Sequence, residues 1–235
     1  MTCISCNKVH DENYCSNCGE KNGIKKITFS SIIEDAFSTI TNMDKGFLFN
    51  LKALFLNPQK ITTNFISGKR KGILNPISYL IISITIYLIV INVFKAPPKE
   101  VTETTTSAFF ASEQKMGNAV GLFLRTYIKY FWILSIIPLG FALKVVFQKY
   151  NYLEHIAISS FVIGQATLVG VVSYLIFRFP LIFDPFVYVT IAWLTYRIFK
   201  DNTEKIVSSL LSFVSLFLFI IQLVVITIAI AFIIS

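Results

Sequence analysis

Residues 73–94 read ILNPISYLIISITIYLIVINVF, twenty-two positions without a charged side chain. An α-helix rises about 1.5 Å per residue, so roughly 20 apolar residues cross the hydrocarbon core of a bilayer. The run is long enough to do so, and the chain is read from it as an integral membrane protein. The start of the helix is written locally. Asn75 offers a side-chain oxygen to the free helix amides, and Pro76 stands where no amide is needed.

Composition points the same way. Hydrophobic residues make up 54% of the 235 positions and charged residues 14%, against about 25% charged in soluble chains. After a Pro- and Thr-rich connection, KAPPKEVTETTTSAFFASEQ, further apolar segments predict four more helices. One covers 127–147, where only 130–143 is uncharged and Arg125, Lys129 and Lys144 must snorkel to the headgroups; Pro138 is read as a kink in it. The others cover 156–177, 181–199 with Asp184 inside it, and 206–234. Arg178 alone separates the apolar runs 156–177 and 179–196 on which the third and fourth spans rest, so they form a tight hairpin. Asp184, next to Pro185, reads as a helix cap or as a functional acid.

Upstream, MTCISCNKVHDENYCSNCGEK carries Cys3, Cys6, Cys15 and Cys18 as two Cys-x2-Cys pairs. Four soft thiolates at that spacing suit a closed tetrahedral zinc site with a structural role, with iron or redox chemistry as the alternatives. Gly19 suits the positive-φ position that such a turn requires after the second pair, and Asn7 can serve after the first. His10, in the intervening loop, is read as an exposed residue rather than a ligand. The first thirty residues lack the apolar core of a signal peptide, so the amino terminus is placed in the cytosol. Reduced cytosolic thiols favour a metal over disulfides.

Between these regions, residues 25–72 read as interfacial helices. Ser31 and Glu34 fit a capping box, and Ile32, Ile33, Phe37 and Ile40 recur at helical spacing. GFLFNLKALFL is too short to cross a bilayer and apolar enough to lie on it. The strip Lys69, Arg70 and Lys71 precedes the first span; it serves anionic lipid as a positive-inside anchor, or nucleic acid as the less favoured partner. The organisation is therefore a zinc ribbon at 1–24, juxtamembrane amphipathic helices at 25–72 and a helical membrane domain at 73–235. With the amino terminus inside, fifteen Lys and Arg residues fall on the inner side and six on the outer, which sets the carboxyl terminus outside. The fold class is all-α and polytopic, with about five transmembrane helices.

Glu154 and His155 open the third span, and Ser159, Ser160, Gln165 and Thr167 follow, Gln165 about three turns further along. Polar groups at these places mark a translocation path, or serve only interhelical and interfacial bonding. Catalytic signatures are absent: there are two histidines, no H-E-x-x-H, no Gly-rich phosphate loop and no G-x-S-x-G. The chain is not read as an enzyme.

The joined pattern of NYCSNCGEK, DKGFLFNLKALFLNPQKITTNFISGKRKGILNPISYLII and YNYLEHIAISSFVIGQ resembles an uncharacterised bacterial family of unknown function. Its members carry an amino-terminal zinc ribbon before a multispan membrane domain. The resemblance implies Cys3, Cys6, Cys15 and Cys18 as metal ligands. It implies Asp44, Gly46, Pro58, Gly68, Lys69, Arg70, Pro76, Glu154 and His155 as shared positions around the membrane, and no activity. Asn7 stands where a glycine is usual. The functional expectation is an inner-membrane scaffold or regulator whose cytosolic ribbon docks a protein partner, alone or as a homo-oligomer. The alternative is a channel, transporter or membrane-permeabilising effector gated from the cytosolic side.

Overall fold

The computed structural model describes residues 2–3, 5–9, 11–19, 46–94, 132–200 and 205–234. The expected capping box at Ser31 and Glu34, the helical run through Ile40, His10, Asp44 and the connection from 95 to 131 lie outside the described residues. Seven α-helices are described: α1 Gly46–Leu56, α2 Pro58–Ile66, α3 Pro76–Val93, α4 Ile136–Phe147, α5 Tyr152–Phe177, α6 Pro185–Phe199 and α7 Lys205–Ile234. Four-residue and three-residue 3-10 turns precede α4 and α6. No strand occurs among the described residues, only an isolated antiparallel bridge between Thr2 and Val9.

Local chemistry fixes the helix starts. Asn75 Oδ1 accepts from the Ile77 amide at 2.9 Å, with Pro76 in the first turn of α3. Asp184 Oδ1 accepts from the Phe186 amide at 2.9 Å, with Pro185 opening α6, so Asp184 is a helix cap. Asn151 and Glu154 form a reciprocal capping box at α5, each side chain bonding the other's amide at 2.8 Å. Pro138 falls in the first turn of α4, directly after the 3-10 turn Trp132–Ser135. It stands where a helix begins instead of kinking a continuous one.

Among the described residues three helices are long and apolar enough to cross a membrane: Pro76–Val93, Tyr152–Phe177 and the stretch Lys205–Ile230 of α7. The two other expected spans are shorter. α4 has twelve residues after its 3-10 turn and α6 fifteen, against the roughly 20 that a perpendicular crossing needs.

α5 is the hub. It packs against α3, α4 and α6, while α7 closes over α4 and α6 from outside. α3 runs parallel to α5: Tyr79 meets Gln165 near its beginning, and Phe94 at its end takes hydrogen bonds from Arg178 and Tyr174. α4 and α6 run antiparallel to α5. Trp132 Nε1 donates to Thr167 at 2.9 Å whereas Gly140, nearer the end of α4, lies against Ile156. In the same sense Val187 lies against Gly170, and Phe199 at the end of α6 faces His155. α7 buries only a narrow stripe, Ser208, Ser212, Ser215 and Phe219, and small residues there let it approach closely. Among its described side chains, Leu210, Phe213, Phe217 and Val224 are exposed and apolar, as a lipid-facing helix requires.

The short helices do not lie alone. α1 and α2 pack against each other and against α5, and α2 also against α6. Leu54, Ile61 and Phe65 share a core with Leu74, Tyr79, Ala157 and Phe161, and the Phe65 and Phe161 rings meet edge to face at 5.8 Å. Arg197 Nη2 donates to the Leu56 carbonyl at 2.8 Å, satisfying an end of α1 that has no helical partner.

Candidate metal centre and polar groups of the membrane helices

The four cysteines converge. Their sulfurs all lie within 4.8 Å of one another, and the closest approaches join the two turns: Cys3 to Cys18 and Cys6 to Cys15, each 3.5 Å. Each Cys-x2-Cys closes through a backbone bond, from the Asn7 amide to the Cys3 carbonyl at 3.0 Å and from the Gly19 amide to the Cys15 carbonyl at 2.7 Å. Asn7 and Gly19 take φ of 59° and 71°, the left-handed region that the sequence assigns to them. A further bond, from the Cys3 amide to the Lys8 carbonyl at 2.9 Å, ties the first turn to the strand-like bridge at Val9.

Cys3 and Cys15 are buried, while Cys6 and Cys18 are half-exposed. The Lys8 amide and the Asn17 side chain bond the Cys6 sulfur and hold its pKa down at about 6. Ordinary thiols ionise well above that, at about 8.5. The donor set fits a metal ion: four thiol sulfurs, one from each cysteine, at separations close to the roughly 3.8 Å edge of a tetrahedron with 2.3 Å metal–sulfur bonds. Cys3, Cys6, Cys15 and Cys18 would hold the ion, which with four protein ligands would supply cross-linking of the chain and no open coordination position.

The basic strip is not one flat patch. Lys69 and Lys71 are exposed, but Arg70 turns back, with its guanidinium 4.9 Å above the Phe65 ring. Of the groups proposed for a path, Glu154 is occupied in the capping box of α5. Gln165 is fully buried and serves as a link: Tyr79 Oη donates to its Oε1, and its Nε2 donates to the Leu51 carbonyl at 3.4 Å. It therefore ties α5 to both α1 and α3. Asn50, fully buried beside it in α1, donates to the Gly46 carbonyl.

His155 is different. It is fully buried, and neither ring nitrogen has a hydrogen-bond partner among the described residues. Tyr150 and Phe199 wall the ring at centroid distances of 5.9 and 5.8 Å, and Phe147 stacks on Phe199 at 4.1 Å. His155 and Gln165 both stand on α5 but have different neighbours, Tyr150 and Phe199 for His155 and Tyr79 and Leu51 for Gln165. Ser159, one turn along α5 from His155, and Thr195 are both buried, with hydroxyls that lack a partner among the described residues. Sequence reasoning missed Thr195 and Tyr79, which acquire their places only through helix packing.

The model of a family described as a protein of unknown function, DUF3667, matches residues 44–88. The matched segment is α1, α2, the basic strip and most of α3, so the part similar to that family is the unit that packs on α5. The cysteines, Glu154 and His155 lie outside the match. No curated protein and no solved structure matches the chain.

Proposed function

We propose that this chain is a scaffold or regulator of the bacterial inner membrane whose amino-terminal cysteine centre, loaded with a structural zinc ion, stands in the cytosol and docks a protein partner. The observation that carries the reading is the convergence of four sulfurs within 4.8 Å in a segment of some twenty polar residues. Such a segment has too little apolar surface for a core of its own, and a metal replaces one. In this reading α4 and α6, with their 3-10 turns, complete five spans. The alternation of α3, α4, α5 and α6 in direction supports that count, and the charge distribution supports amino terminus inside and carboxyl terminus outside. Lys69 and Lys71 then meet anionic headgroups.

The test is recovery of a partner from cross-linked membranes. A cytosolic protein recovered with the intact chain and lost with Cys15→Ser, while the variant stays folded in the membrane, supports docking; equal recovery with both overturns it.

A second reading, permeation through the membrane helices, is favoured by one observation: His155 is buried with both ring nitrogens unpartnered, a costly arrangement that structure alone does not require. Flux of ions or protons from liposomes carrying the protein, above that of protein-free liposomes, supports it, and liposomes that stay tight overturn it.

A further inference from the structure

Four of the buried polar atoms that lack a partner among the described residues belong to three residues, His155 (Nδ1 and Nε2) and Ser159 (Oγ) near the beginning of α5 and Thr195 (Oγ1) near the end of α6. Ser159 follows His155 by one turn on α5, and Thr195 precedes Phe199 by one turn on α6. The His155 and Phe199 rings are in contact and the helices run antiparallel, so both hydroxyls fall in the layer next to the imidazole, deeper in the bundle. Each of the three residues is 1% exposed or less. A neutral imidazole has one N–H and one acceptor nitrogen, and each hydroxyl has a proton to donate. Buried polar groups of this kind are almost always hydrogen-bonded, so their clustering calls for a small species that both donates and accepts.

The surroundings narrow its nature. From α4, Lys144 places its Nζ on the Tyr150 carbonyl at 2.8 Å and acts on the imidazole electrostatically. The connection before α5 brings Tyr150, with Lys149 over its ring at 5.6 Å, and α6 brings Phe199 and Thr195, neither of which titrates. α2 meets α5 at Ala157 and Phe161 through Ile61 and Phe65 and adds no titratable group there. Glu154, on α5 itself, is engaged in the cap. Beyond the hydroxyl layer the helices are apolar at Val162, Ala166 and Ile191. The far end of the α5–α6 seam again carries unpartnered atoms, Ser173 Oγ and Asp184 Oδ2.

We propose that the His155–Ser159–Thr195 layer is a hydrated proton-exchange site, with His155 the group that takes up and releases the proton. The inference rests on the permeation reading and names its substrate. One ring nitrogen takes up a proton carried to it through water from one side, while the other releases its proton to a second water held by the two hydroxyls; one proton enters and one leaves, and a ring flip restores the original tautomer. Only N–H and O–H bonds form and break, in equal number, and water is the sole co-reactant.

The test uses the full-length protein in liposomes enclosing a pH-sensitive dye, with a potassium diffusion potential set by valinomycin. Proton entry several-fold above protein-free liposomes is expected, with a drop of tenfold or more in His155→Gln, which keeps the volume and hydrogen bonding but cannot pass a proton on. Glu154→Gln should conduct like the parent. His155→Gln conducting like the parent overturns the inference. If potassium or sodium flux persists while proton entry is indifferent to His155→Gln, permeation stands and the proton site falls; liposomes that stay tight to everything overturn both. Should His155→Gln fail to elute as a folded helical protein, the Ser159→Ala/Thr195→Val double variant takes its place, with the same outcomes.

Discussion

Gly164 of α5 lies so close to Tyr79 of α3 that a β-carbon on the glycine would stand 2.8 Å from Cδ1 of the ring and 3.3 Å from the Leu80 Cα. The ring cannot retreat freely, because its hydroxyl is held by Gln165 and its face by Phe47 and Phe161. Gly164→Ala should therefore destabilise the membrane domain by about 1–3 kcal/mol, as overpacking of a tight interface does. Thermal unfolding in detergent, compared with an alanine at exposed Thr85, reads the difference.

Gln165 links α1, α3 and α5 within one buried cluster, so its effects should not add to those of Tyr79. Tyr79→Phe and Gln165→Leu each leave a partner stranded, whereas the double variant removes both. A double-mutant cycle should give a favourable coupling of about 0.6–1.7 kcal/mol, the range of hydrogen bonds between membrane helices. A coupling of zero in unfolding measurements would mean that the bond contributes nothing net.

The cysteine centre should bind one metal ion per chain, measured by elemental analysis of purified protein. Cys15→Ser should lose it, and a chelator should release it without altering the helical content, since all four ligand atoms come from the segment Cys3 to Cys18.

Metal-free protein should react with iodoacetamide first at Cys6, which is half-exposed and whose pKa sits at about 6. The depressed value means that the folded turn favours the thiolate. The stabilisation is present above the ordinary thiol range and is lost as the pH falls through about 6. Peptide mapping across a pH series should show Cys6 labelling rise from about that pH, ahead of buried Cys3 and Cys15, with bound metal suppressing all four.

Asp184→Ala should cost about 1 kcal/mol, because the α6 cap is lost, while Asp184→Asn should cost only a few tenths. Asn151→Ala should behave like the first at α5. Chemical denaturation in mixed micelles measures all three.

Much of this was legible in the chain itself. Uncharged runs announce α3, α5 and α7 because hydropathy acts locally, and Asn75–Pro76, Asp184–Pro185 and Asn151 to Glu154 mark starts by direct side-chain chemistry. The two Cys-x2-Cys turns and the positive φ of Asn7 and Gly19 are likewise short-range. Composition does not distinguish a 3-10 turn from an α-helix, so it does not reveal that α4 and α6 begin after the turns Trp132–Ser135 and Leu181–Phe183. That Gln165 bonds a neighbouring helix is one of the readings its sequence allows, but spacing along one helix does not reveal its partners Tyr79 and Leu51, 86 and 114 positions away. The polar layer at His155 needs Thr195 from another helix, and no pattern within α5 could supply it.

The Tyr79–Gln165 bond has a consequence for how the protein is made. Its partners are 86 positions apart, and synthesis at about 5–20 residues per second delays Gln165 by roughly 4–17 s after Tyr79 emerges. Through that interval α1 and α3 have entered their environment without the helix that satisfies Tyr79, the Leu51 carbonyl and the faces of Phe65 and Leu54. The segment similar to the known family is thus a half-finished interface during translation. Chains truncated before α5 should be the forms that insertion helpers hold and membrane proteases remove.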